Sequence, residues 1–173
     1  MSNLANTTAA TTTVVLTSEE LLRHWQGHRS LTRRAIEAFP ENEFFNYSIG
    51  GMRPFYEMVI ELIDIAGPGI HGIVTNEWTR LPEDTDHSLN SFAKTKKDVL
   101  DRWDEITGQI NSLWPLIPPQ RFQEVIKAFD QYEGPAYTSI LYFIDNEIHH
   151  RAQAYVYLRS LGIQPPFFWD REF

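Results

Sequence analysis

Apolar side chains return at intervals of three and four residues along most of this chain, and no stretch alternates cleanly between apolar and polar residues. A period near 3.6 gathers such residues onto one face of a helix, whereas a strand needs a period of two. The pattern predicts an all-α fold. Leu21, Leu22, Trp25, His28, Leu31, Ala35, Ile36 and Phe39 define a first helix over 18–39, with Glu19 and Glu20 near its start and Pro40 beyond its end. A second opens at Pro54 and carries Phe55, Met58, Val59, Leu62, Ile63 and Ile65. Gly67-Pro68-Gly69 is expected to bend or break it on the way to Trp78. Leu89, Phe92, Val99, Leu100, Trp103, Ile106 and Ile110 set a third, ending near Leu113. A shorter helix is expected over 121–129, and a long one over 136–161 with Gly162 as its stop. This order suits a four-helix bundle with a short accessory helix.

Bulk properties narrow the function. A chain of 173 residues with 42% hydrophobic and 22% charged residues is expected to fold as one globular domain. The Thr- and Ala-rich residues 1–17 read as a flexible arm and 18–173 as the bundle. Net charge is −8, so a phosphate backbone would be repelled. Arg33-Arg34 and the Lys94–Lys97 run are too short to offset this and read as solvated helix faces. Nucleic acid is therefore not an expected partner. The absence of cysteine removes disulfides, thiolate ligands and a Cys nucleophile together. The first residues lack the features of a signal peptide, and no uninterrupted apolar run is read as a membrane span, so a cytoplasmic protein without membrane contact is expected.

Chemistry is suggested where polar residues interrupt apolar faces. Asn146 and His150 stand one helical turn apart on a stripe bordered by Phe143, Ala154 and Tyr157. The opposite stripe of Ile140, Ile144, Ile148, Ala152 and Tyr155 is apolar as well, so the helix is expected to be buried on two sides. Glu61 falls between Met58 and Ile65 on the apolar stripe of the second helix, with Glu57 a turn before it. A carboxylate there must be paired or hold a cation. Glutamate and histidine from facing helices are a common way for a bundle to hold a divalent ion, and Glu147 with His150 offers a second, less specific pairing. His149 points away from His150. His24 and His28 read as structural, and His71 and His87 fall in expected connections with no role assigned.

The run NEIHHRAQAYVYLRSLGIQPP resembles the last helix of the DinB-like (YfiT-like) superfamily, where a stretch H-E-x-H-H-R-G-Q-x-x-x-Y-L-R-x-L-G-x-x-P-P is frequent. The helix order over 18–168 fits that bundle more loosely. The resemblance implies a divalent-metal site of three histidines, whose positions here fall on Glu61, Asn146 and His150. Two oxygen donors and one imidazole would hold zinc less tightly than three imidazoles and accept nickel or manganese too. The implied activity is metal-dependent thiol transfer or hydrolysis, with a small thiol as ligand and Glu57 or Glu147 as base. The alternative is a non-catalytic binding module with a degenerate site, its aromatic tail Phe167-Phe168-Trp169 covering a partner. A homodimer is expected.

Overall fold

The computed structural model describes residues 15–78 and 93–171, so most of the expected arm, His87 and the expected start of the third helix lie outside the described residues. The bundle consists of α1 (Ser18–Ala38), α2 (Glu41–Asn46), α3 (Phe55–Thr75), α4 (Lys96–Leu113) and α5 (Ala136–Ser160). Two 3-10 turns, Trp114–Leu116 and Pro119–Gln123, lead from α4 into an antiparallel pair, β1 (Val125–Ala128) and β2 (Tyr132–Pro135). α3 packs on both α4 and α5, and α1 closes the bundle against the same two helices.

Local chemistry explains the helix ends. Thr17 and Glu20 form a reciprocal capping box at the start of α1, and Thr95 with Asp98 does the same for α4. Gly162, at φ 74°, ends α5 in the left-handed conformation, and the Ile163 amide donates to the Leu158 carbonyl at 2.8 Å. The phenyl rings of Phe39, Phe44 and Phe55 cluster where α1, α2 and α3 meet.

Of the two outcomes expected at Pro68, a break is excluded: α3 runs on to Thr75, near the expected Trp78, and places His71 inside the helix and not in a connection. Glycines flank the proline because neighbours press in there. A Cβ at Gly69 would lie 2.7 Å from the Phe143 ring, and one at Gly67 would lie 2.7 Å from the Ile106 terminal methyl. The resulting helix of 21 residues is long and apolar enough to cross a membrane by length and composition, and most of its apolar side chains are buried in the bundle.

The accessory helix expected over 121–129 is replaced by the hairpin. Its strands are only four residues each, too short to show an alternation in sequence. Phe129 and Asp130 turn the chain with φ of 53° and 59°. A phenylalanine tolerates that conformation here because its ring is buried against Trp78 and Phe143. The short accessory helix is α2. In the tail, Phe167, Phe168 and Trp169 are each more than half exposed, and the segment is tied down by Arg34, which donates to the Asp170 carboxylate and carbonyl.

Candidate functional site

Glu61 projects from α3 toward α5, and its carboxylate gathers the polar residues that interrupt both helix faces. Its Oε1 accepts from Asn146 Nδ2 at 3.2 Å and pairs with His150 Nε2 at 3.1 Å. The other oxygen, Oε2, accepts from Arg53 Nη2 at 2.5 Å. His150 Nδ1 lies 2.9 Å from the Gln153 side-chain oxygen. Glu61, Asn146 and His150 are thus brought together as their spacing suggested. Hydrogen bonding from His150 above all, then from Arg53 and Asn146, holds the Glu61 carboxyl down at about 2 against the opposing effect of burial. It stays ionised in a site that keeps a quarter of the Glu61 side chain, 27%, open to solvent.

Arg53 was not legible as part of this cluster. It lies in the connection before α3, where a charged residue is ordinary, and it enters because its carbonyl accepts from the Tyr157 hydroxyl at 2.9 Å. Tyr157 is fully buried on α5, so the backbone that carries the guanidinium is fixed to the same helix as Asn146 and His150.

Glu147 is absent from the cluster. It points to the other side of α5, fully buried, where Thr32 donates to its Oε1 at 2.6 Å. Arg151 stands 3.6 Å and Arg29 4.0 Å from its oxygens. Burial pushes the Glu147 carboxyl up, opposed by the two guanidinium charges. His28 joins this second network through Nδ1, 2.8 Å from Arg151 Nη2. Burial first, and then the charge of Arg151, drop its imidazole to about 3, so it is neutral, in keeping with a structural role. His149 lies beside His150 outside the cluster, and Glu57 sits a turn before Glu61 on α3 without joining it.

The donor set around Glu61 does not fit a tightly held ion as arranged. Zinc sites use three or four ligands drawn from His, Cys, Asp and Glu. Among the described residues no group of three such side chains converges. The one carboxylate is already neutralised by a guanidinium, and Asn146 and His150 both turn nitrogen toward it.

A pocket of about 270 Å³ opens one turn along α3 and α5 from this cluster, roofed by the hairpin. Ile65, Phe129 and Phe143 form its apolar wall, while Tyr132, Tyr142 and Thr138 bring hydroxyls. Burial raises the Tyr142 phenol, with smaller contributions from the Glu61 charge and from Tyr132. Few sequence signals mark this pocket, because half of its wall comes from the unanticipated hairpin.

A bundle with polar residues of facing helices meeting at one cluster defines a class of helical proteins wide enough for many chemistries. The DinB family model matches residues 1–171, and the chain belongs to the DinB family. Solved structures agree on the fold. A DinB-like protein from Bacillus cereus aligns with TM-score 0.67 at 15% identity, covering 86% of this chain and 95% of that one. One from Bacillus subtilis aligns with TM-score 0.66 at 17% identity, over 86% and 96%. A mycothiol-dependent maleylpyruvate isomerase aligns with TM-score 0.61 at 14% identity, over 79% of this chain and 60% of that enzyme. No curated protein matches the sequence.

Proposed function

We propose that this DinB-family chain is a small-molecule-binding protein whose ligand enters the pocket between α3, α5 and the hairpin, with the Glu61 cluster as its polar end. The observation that carries this reading is the pocket itself. It pairs an apolar wall with a few hydroxyls, as small-molecule sites do, and the Glu61 cluster lies one turn along α3 and α5 from it. A small thiol is the first ligand to try, because the mycothiol-dependent isomerase shares the fold and this chain has no cysteine to supply a sulfur of its own. Thermal-shift and ligand-observed NMR screens of small thiols test it, run in parallel on Ser139→Trp, which places an indole at the pocket wall. Hits on the wild type that vanish in the folded variant are expected. A screen without hits would rule out small thiols as the ligand, and hits the variant retains would refute the pocket.

A second reading is metal-dependent thiol transfer or hydrolysis at the same cluster, with zinc, nickel or manganese. Its support is the convergence of Glu61, Asn146 and His150 within 3.2 Å, which is also the separation of neighbouring ligands around one ion. It requires Arg53 to give up Glu61. Metal analysis of protein grown in metal-supplemented medium separates the two, with a metal-poor protein expected. A homodimer is part of the proposal, supported by the outward residues Leu141, Ala152 and Val156 of α5. Light scattering should then give twice the chain mass of 20.2 kDa, and a monomer at micromolar concentration would contradict it.

A further inference from the structure

The Glu61 carboxylate faces an imidazole across two helices, and a positive charge beside it is built into the chain. Arg53 Nη2 reaches Glu61 Oε2 at 2.5 Å, while the opposite oxygen carries Asn146 and His150. Each group is satisfied by the others. For Asn146 to act as a ligand its amide would have to rotate, giving up the bond from Nδ2 and turning oxygen against oxygen. For His150 to act as one, Nε2 would have to give up its 3.1 Å contact with Glu61 and face the ion instead. A divalent ion would also sit beside a fixed guanidinium. The Tyr157 hydroxyl holds the Arg53 carbonyl at 2.9 Å, so the backbone that carries the guanidinium is anchored to the same helix as Asn146 and His150.

We infer that the Arg53 guanidinium takes the place of a metal ion at this cluster, so that the chain works without one and holds a latent metal site that opens when Arg53 is removed. This does not depend on the pocket reading. A chain whose pocket binds nothing could still carry Arg53 as its cation, and the reverse holds as well.

The test is titration calorimetry with Ni²⁺ and with Zn²⁺ on the wild type, Asn146→His, and Asn146→His combined with Arg53→Ala. The Asn146→His change adds a second imidazole to that of His150 and the carboxylate of Glu61, so that affinity becomes measurable. The wild type should bind no ion at the cluster. Removing Arg53 in the Asn146→His background should tighten binding by roughly tenfold or more, the scale on which groups touching the ligands change metal affinity. Adding His150→Ala to that protein should abolish it. Circular dichroism and melting temperature check that each variant folds. Should Arg53→Ala fail to fold, Arg53→Gln removes the charge while keeping a hydrogen-bonding side chain. Wild-type protein that binds one ion in a His150-dependent way would overturn the inference. So would equal affinity with and without Arg53.

Discussion

His28 shows how burial turns a titratable residue into a pH-sensitive support. Its ring is 2% exposed and takes a hydrogen bond from Arg151, and its proton affinity has fallen from 6.5 to about 3. Between those values the unfolded chain binds a proton that the folded chain refuses. Stability is therefore complete above about pH 6.5 and is lost progressively as pH falls toward 3. Melting temperature should decline over that window, and His28→Asn, which keeps an acceptor for Arg151, should flatten the decline. A variant that tracks the wild type through the window would show that His28 is not its source. At the Glu61 cluster His150→Ala should cost about 1–3 kcal/mol in urea unfolding, because it strips a donor from a half-buried carboxylate. No measurable loss would mean that solvent replaces the imidazole. Glu61, Asn146 and His150 were legible because each interrupts an apolar stripe. Arg53 was not, since nothing in a loop distinguishes a guanidinium aimed at a helix residue eight positions on from one in water.

At the scale of elements, α3 owes its path to small residues rather than to helix propensity. Its two Gly positions around Pro68 differ in what presses on them. Gly69 faces the rigid ring of Phe143, whereas Gly67 faces the swinging terminal methyl of Ile106. Gly69→Ala should destabilise the fold by about 1–3 kcal/mol through overpacking. Gly67→Ala should be near neutral, its small clash offset by the roughly 1 kcal/mol that alanine gains over glycine in a helix. Urea midpoints measure both, and equal effects would contradict the assignment. The same Gly-Pro-Gly run reads as a break in the sequence, because proline's missing amide signals one unless packing on both sides holds the helix together. The boundaries of α1 and α5 were legible from Glu19, Glu20 and Pro40 and from Gly162. The hairpin was not, because Val125-Ile126-Lys127-Ala128 is too short for a period and Phe129 adopts a left-handed conformation that a phenylalanine does not advertise in sequence.

Across the whole molecule, three helices are tied by charge rather than by apolar packing alone. Arg29 of α1 donates to Thr107 at 2.7 Å and to the Trp103 carbonyl at 3.0 Å on α4, and it stacks on the Trp103 ring. From α5, Arg151 donates to Thr32 at 2.8 Å and to the His28 carbonyl on α1. Glu147 lies between the two guanidinium groups, whose charges favour its ionised form against the effect of burial, and all three side chains are almost wholly withdrawn from water. Two buried cations can share a core only while their counter-charge is present. Glu147→Ala should therefore cost about 3–5 kcal/mol, because Arg29 and Arg151 keep their hydrogen bonds but lose their counter-charge where water cannot reach them. The exposed pair Arg33 and Glu37 supplies the control: its side chains are 35% and 46% exposed, and Glu37→Ala should stay within about 1 kcal/mol. In urea the Glu147 variant should lower the midpoint while leaving the slope unchanged, since the same surface is exposed on unfolding. A Glu147→Ala protein as stable as Glu37→Ala would mean that the guanidinium groups find water or other acceptors once the carboxylate is gone, and that apolar packing alone holds α1, α4 and α5 together.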